Sequence, residues 1–289
     1  DTDDAPLDAT IASLKDASLG YPLDYGYSLS GIVVRAAAGV PPPLLGQRVF
    51  AFHPHASAAV AAADGVQRVP DGVGASDAVY LPALETALSI AHDAHVRPGE
   101  STLVVGQGLI GLLVTAVLAR AAPGADVVAV DPLGQRRALA RKLGATRTLA
   151  RAPRAADEGS GGGFDVAIEV SGSAGGLQHA VDATREGGRV VVASWYSSAL
   201  TLQLGTRFHR SHITLVASQV SELPAAVSRT WTKARRFEAA WRLARELRPA
   251  AALTTLRVPL ARAGEAYARL DEGKEVAAEI SYDGVVDQK

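Results

Sequence analysis

Thr102-Leu103-Val104-Val105-Gly106-Gln107-Gly108-Leu109-Ile110-Gly111 is the stretch whose reading decides the fold. Its apolar start reads as a strand buried on both faces, and the apolar run 110–121 after it reads as a helix. Gly106 permits the tight turn between them. Gly108 lacks a side chain, so the backbone can approach a pyrophosphate, and Gly111 lets the helix pack close on the strand. Leu109 and Ile110 open the helix, where unpaired N–H groups and the positive dipole end favour phosphate. A glycine pattern alone is weak, since glycines also serve packing. Here a strand precedes it, a helix follows, and Asp131 ends the next strand twenty residues after Gly111. That is the place for a carboxylate that accepts hydrogen bonds from the adenosine ribose hydroxyls. Residues 102–131 therefore read as the pyrophosphate site of a nicotinamide dinucleotide. A carboxylate at 131 repels a 2′-phosphate and favours NAD. Arg136 and Arg137, just beyond, would neutralise such a phosphate and keep NADP as the alternative.

Outward from this unit, strands alternate with helices. Segments 126–131, 164–171, 189–194 and 213–218 read as further strands, and 135–143 and 176–184 as helices. The alternation implies βαβ units and an α/β doubly wound Rossmann sheet, with 155–163 as an exposed acidic, Gly-rich loop. Before it, 8–15 is helix-like and 21–71 is β-rich, with short apolar segments 31–35, 47–52 and 58–62 divided by Gly and by the prolines 41–43. Residues 77–95 have helical spacing. After 218 come a long helix over 228–248 with a basic face (Arg229, Lys233, Arg236), a strand at 253–258, a helix at 262–270 and a strand at 276–282.

Composition narrows the function. The 289 residues are 48% hydrophobic and 20% charged, the balance of a globular protein with a core. The net charge of −1 argues against nucleic acid, which needs clustered excess base. No apolar run reaches the roughly 18–20 residues of a membrane span. There is no Cys, which excludes disulfides, thiolate nucleophiles and Cys-ligated metal, and suits the cytoplasm or another reducing compartment such as an organelle interior. There is no Met either, even at position 1, so the sequence does not open at a translation start.

With these motifs in order, the chain resembles the medium-chain dehydrogenase/reductase superfamily, the zinc alcohol dehydrogenase-like proteins. Gln47-Arg48-Val49-Phe50 resembles the family's Gly-Asp-Arg-Val strand, and Val69-Pro70-Asp71-Gly72 its Pro-Asp-Gly turn. Arg97-Pro98-Gly99-Glu100, the glycine turn, Leu143-Gly144-Ala145, the stretch from Phe164 to Ser173, and Gly187-Gly188-Arg189-Val190 follow in family order. Val258-Pro259-Leu260 through Leu270, with Ala266-Tyr267, resembles the closing helix of the catalytic domain. The resemblance implies a GroES-like β-rich catalytic domain made from both chain ends. Its N-terminal part is 1–90, short by about fifty residues of a typical member, and its C-terminal return is 221–289. The Rossmann domain, 91–220, lies between them in sequence. Nicotinamide and substrate are then expected in a cleft between the domains, with Ser171, Gly172, Ala193 and Ser194 at strand ends lining the cofactor crevice and a homodimer formed through sheet edges.

The chain also departs from the family. Its zinc members carry Gly-His-Glu, where the His binds the catalytic zinc; here Gly26 is followed by Tyr27 and Ser28, and the Cys ligands and four-Cys lobe are absent. No metal is expected. His53 and His55 could share one on a regular strand, but Pro54 interrupts it. Without zinc, the oxygen that gains charge on hydride transfer needs a proton donor. Tyr27, His53, His55 and Glu85 are the candidates. Tyr27 would otherwise fill the vacated zinc pocket, and Glu85, an acid in an apolar helix, would otherwise pair with an Arg. Trp195 and Tyr196 follow a strand and are expected as a substrate wall. The basic-aromatic stretches 208–212 and 231–236 are either solvated faces or sites for an anionic substrate or the cofactor phosphates. The expected function is an NAD(P)-dependent oxidoreductase acting on a small alcohol, carbonyl or enone without zinc. The alternative is a catalytically inactive, dehydrogenase-like structural or regulatory subunit.

Overall fold

The computed structural model describes residues 25–40, 44–121, 124–155, 162–196 and 198–282. The expectations for 8–15, for the prolines 41–43 and for most of the loop 155–163 lie outside the described residues. The chain divides into two units, Asp1–Pro82 with Phe237–Lys289, and Ala83–Arg236.

In the first unit β1 (Leu29–Ile32), β2 (Arg48–Ala51) and β3 (Val66–Arg68) form an antiparallel sheet in the order β1-β2-β3. The short helix α1 (Ala75–Ala78) follows. Then α2 (Leu81–Ala94) leads into the second unit. A strand over 58–62 does not form. That run is mostly alanine, its residues are exposed, and alanine has little to pack on a pleated surface. The partner of β2 is instead β3, with Val66 and Gln67 half-buried. The apolar spacing over 77–95 is carried by two helices with a break at Val79 and Tyr80.

The second unit holds β4 (Ser101–Val105), α3 (Leu109–Ala121), β5 (Asp126–Val130), α4 (Gly134–Leu143), β6 (Arg147–Leu149), β7 (Phe164–Glu169), α5 (Ala174–Ala183), β8 (Thr184–Val192) and β9 (Thr214–Ala217). All neighbours pair in parallel, in the order β6-β5-β4-β7-β8-β9. The order reverses between β4 and β7, the switch point where open α/β sheets bind ligands at their carboxyl ends. Leu103, Val105, Val128, Val130, Ala167 and Val190 fill the sheet centre. Each large apolar side chain buried there contributes roughly 1.5–3 kcal/mol. β6 is too short to show in the sequence pattern.

The chain then returns to the first unit. The helix expected over 228–248 forms as α6 (Lys233–Leu247), starting five residues later, and the short α7 (Pro249–Leu253) follows it. The Thr232 hydroxyl accepts the Arg235 N–H at 3.1 Å and caps α6, so the helix starts after it. β10 (Thr254–Pro259) and β11 (Ala277–Ser281) pair in parallel around α8 (Ala263–Asp271).

Arg236 does not lie on a solvated basic face. It is fully buried, and all five of its N–H donors are used. Nε and Nη2 donate to Glu85 Oε1 at 3.0 and 2.6 Å, Nη1 to Ser89 Oγ at 2.6 Å and to the Glu222 carbonyl at 3.2 Å, and Nη2 to the Val220 carbonyl at 2.6 Å. The His92 and Trp231 rings are 4.3 Å apart, and the Ser218 hydroxyl donates to Asp93 at 2.6 Å. These contacts tie α2 and residues 218–236 to one unit, so that unit runs past 91–220 at both ends. At the base of the sheet, Arg189 grips Glu100 through Nη1 and Nη2 at 3.0 and 2.6 Å and also donates to the Ala94 and His95 carbonyls.

Removing one partner of a buried ion pair costs about 3–5 kcal/mol because the other charge is stranded. Glu85→Ala is expected to lose that much in urea unfolding; a loss below about 1 kcal/mol would show the pair to be idle. Arg189 hydrogen bonds, the largest influence, hold the Glu100 carboxyl below its ordinary 4.5. Its stabilisation is thus present above about pH 4.5 and is lost as pH falls through the lower native value. Glu100→Gln is expected to flatten the acid limb of a thermal-melt pH series; an unchanged limb would contradict this linkage.

Candidate functional site

The glycine turn joins β4 to α3 under tight constraint. Gly106 has φ +97°, and a Cβ there would lie 2.7 Å from Ser171 Cα. A Cβ on Gly111 would lie 2.0 Å from the Gly106 carbonyl oxygen. Neither position has room for a side chain. Gly108 differs: a Cβ there would meet nothing within 4 Å, so its backbone borders open space. Leu112 N–H donates to the Gly108 carbonyl at 3.0 Å, the first bond of α3. The N–H groups of Leu109, Ile110 and Gly111 therefore have no partner within the helix. Gln107 is buried and locks the turn from below. Its amide donates to the Val104 carbonyl at 3.2 Å and accepts the Thr115 hydroxyl at 3.1 Å.

Asp131, 3% exposed, follows β5. Its carboxylate accepts the Gln107 N–H at 2.9 Å and the Leu133 N–H at 2.8 Å. A carboxylate has about four acceptor positions, so two are left for hydroxyl donors. Arg136 Nη1 is 3.9 Å from Asp131 Oδ2, and Arg136 Nε is buried with no hydrogen-bond partner among the described residues. Arg137 is engaged elsewhere, donating to the Asp131 and Pro132 carbonyls at 2.7 and 2.8 Å.

The residues expected along the crevice beyond β4 come together at the ends of β7 and β8. Gly172 N–H donates to Ser194 Oγ at 2.9 Å, and Ala193 N–H to the Glu169 carbonyl at 3.0 Å. The Ser171 N–H and hydroxyl donate to Glu169 Oε1 at 2.6 and 2.5 Å. Glu169 itself was not singled out in the sequence, although an acid at the end of the apolar strand 164–169 is the available signal. Trp195 and Tyr196 part company. Trp195 is 69% exposed, whereas Tyr196 packs against the sheet core and donates its hydroxyl to Glu169 Oε2. Burial first, then the hydrogen bond and charge of Glu169, push the Tyr196 hydroxyl well above its ordinary pKa.

Of the proposed proton donors, Tyr27, His53 and His55 lie in the first unit and Glu85 in the second. Tyr27 is 47% exposed, and no hydrogen bond to its hydroxyl is found among the described residues. Desolvation, with a smaller contribution from Tyr25, raises its pKa. His53 Nδ1 lies 2.9 Å from the Pro54 carbonyl, and His55 Nε2 lies 2.8 Å from the Tyr267 hydroxyl. Burial lowers the His55 pKa. Glu85 is 7% exposed and bound to Arg236. Of the basic-aromatic stretches, Phe208 packs against the sheet core and Arg235 stacks 4.4 Å over Trp231.

A zinc site does not fit this donor set. Tyr27 and Ser28 stand where the resemblance places the His-Glu pair, and the Ser28 hydroxyl donates to the Val79 carbonyl. The two imidazoles have different partners, and no group of three or more His, Asp or Glu residues is found among the described residues. The glycine turn, by contrast, borders open space at Gly108. No helix among the described residues is long and apolar enough to cross a membrane.

Residues 110–239 match the family model described as zinc-binding dehydrogenase. The D-guloside 3-dehydrogenase of Escherichia coli K12 is 29% identical over 229 residues, 75% of this chain and 65% of that protein. The chain thus spans just under two thirds of that relative. The galactitol-1-phosphate dehydrogenase of Escherichia coli superposes with a TM-score of 0.72 at 18% identity, covering 90% of this chain and 84% of the other. An alcohol dehydrogenase from Escherichia coli CFT073, complexed with NADH, superposes with a TM-score of 0.68 at 17% identity, covering 86% and 80%. The middle of this chain is thus similar to a zinc-binding dehydrogenase domain, and the superposed structures share its fold.

Proposed function

We propose that the chain is a nicotinamide-dinucleotide-dependent oxidoreductase that interconverts an alcohol and a carbonyl, or reduces an enone, without catalytic zinc. The observation that carries this reading is the open backbone at Gly108, flanked by two sites with no room for a side chain, with Asp131 at the end of the next strand. The free N–H groups of Leu109, Ile110 and Gly111 would hold the pyrophosphate, and Asp131 the adenosine ribose. NAD is preferred, because the Asp131 charge repels a 2′-phosphate; Arg136, 3.9 Å away, works against that preference. A bound nicotinamide would supply or accept the hydride. Tyr27 would be the proton donor, since it stands where the resemblance places the zinc-binding His and its phenol is protonated at neutral pH. Glu85 is not, because Arg236 holds it as a carboxylate partner. The E. coli relative, named for a guloside, supports a polyhydroxylated small molecule as substrate. The other partner is a second copy of the chain, and the cysteine-free sequence suits the cytoplasm or another reducing compartment.

A second reading, a nucleotide-binding subunit without activity, rests on Tyr27 and Ser28 in place of the zinc pair. It predicts nucleotide binding without turnover.

Calorimetry with NADH and NADPH, followed by hydride-transfer assays over polyols, aldehydes and enones, tests both. NADH is expected to bind more tightly than NADPH, with Asp131→Ser narrowing the gap. Binding of neither nucleotide would overturn both readings, and binding without turnover on any of these substrates would leave the second. Gly108→Ala should keep the unfolding midpoint and weaken nucleotide binding, since its Cβ meets only the open cradle; unchanged affinity would remove the cradle from the account. Tyr27→Phe should lower kcat by about 10²–10⁴ with nucleotide affinity unchanged; an unchanged kcat would dismiss Tyr27.

A further inference from the structure

Glu169 is 0% exposed, the last residue of a strand whose neighbours Ala167 and Ile168 are buried apolar side chains. A carboxylate buried in that setting costs several kcal/mol unless hydrogen bonds replace its water. Here three donors do so: the Ser171 N–H, the Ser171 hydroxyl and the Tyr196 hydroxyl. They come from two different loops, one after β7 and one after β8. The same loops are joined by Gly172 N–H on Ser194 Oγ at 2.9 Å and by Ala193 N–H on the Glu169 carbonyl at 3.0 Å. Ser171 Oγ also lies 2.9 Å from Ser173 Oγ, which accepts the Gly176 N–H at 3.0 Å at the start of α5. One buried acid therefore fastens two loops and a helix start into a single lip.

The position of that lip follows from the sheet order. Asp131, after β5, marks the adenosine half of a dinucleotide, and the glycine turn after β4 marks the pyrophosphate. β7 and β8 lie on the opposite side of β4 from β5 and carry the second mononucleotide half. We propose that Glu169 is a positioning residue for the nicotinamide end of the crevice. It touches neither cofactor nor substrate, and it acts by holding Ser171–Ser173 and Ser194–Trp195 in one binding-competent arrangement. This rests on the nucleotide-binding reading above. The fastened lip spares the cofactor the cost of ordering two loops. If loss of the acid leaves the competent arrangement populated about a tenth of the time, apparent affinity falls about tenfold.

Calorimetric titration of wild type, Glu169→Ala, Glu169→Gln and Tyr196→Phe with NADH and with ADP-ribose tests this. ADP-ribose has the pyrophosphate and both riboses but no nicotinamide. Glu169→Ala is expected to weaken NADH about tenfold and ADP-ribose less than about twofold. Glu169→Gln should restore NADH binding, because its amide oxygen still accepts from Ser171 and its NH2 can donate to the Tyr196 oxygen. Tyr196→Phe, which removes one hydroxyl from the lip, should show a smaller loss of the same selectivity and stands in if Glu169→Ala does not fold. Equal loss for both ligands would make Glu169 merely structural and overturn the proposal. So would NADH affinity that stays at the wild-type value in Glu169→Ala or, if that variant does not fold, in Tyr196→Phe. A wild-type chain that binds ADP-ribose and NADH equally well refutes the lip alone, whereas one that binds neither refutes the nucleotide reading itself.

Discussion

Backbone crowding where β4 meets α3 and the end of β7 is the constraint on which the rest depends. At Gly106 a Cβ would sit 2.7 Å from Ser171 Cα, and at Gly111 2.0 Å from the Gly106 carbonyl oxygen. The helix start and the neighbouring loop can come this close only because both side chains are absent. Relaxing the crowding by adding one would move α3 off the sheet and open the packed layer of Leu103, Val105 and Ala167. The same closeness leaves Gly108 facing outward with room in front of it. The turn is thus crowded on its inner side and open in front of Gly108, the shape that a phosphate cradle would require.

Three buried charges around this unit follow one rule. Arg236, Asp131 and Glu169 are each nearly or wholly out of water, and each is met by several hydrogen-bond partners. Their tasks differ. Arg236 binds α2 to the segment before α6. Asp131 closes the glycine turn through the Gln107 N–H while keeping acceptor positions free. Glu169 fastens the loops after β7 and β8. The shared chemistry explains why a buried acid cannot be assigned a role by type alone. Glu85 and Glu169 are both acids buried in apolar segments, yet one serves an ion pair and the other a loop junction.

The sheet is readable from the sequence because a buried parallel strand leaves an uninterrupted apolar run, and β4, β5 and β8 each leave one. The glycine turn was readable because its chemistry is local, confined to ten consecutive residues. β6 escaped because three residues carry no periodicity. The strand expected at 58–62 does not form because an alanine run is apolar in composition without strand propensity. Arg236 reads as part of a basic face in the sequence because its partner Glu85 lies 151 positions away. The link between Glu169 and Tyr196 was hidden for the same reason: it spans 27 positions and joins two loops whose pairing only the fold reveals.

A crystal structure of the chain with NADH tests the central claim most directly. The account predicts pyrophosphate oxygens within hydrogen-bond reach of the Leu109 and Ile110 N–H groups, about 2.7–3.2 Å, and the adenosine ribose hydroxyls on Asp131. Nucleotide bound elsewhere, or a pyrophosphate that leaves the space before Gly108 empty, would contradict it.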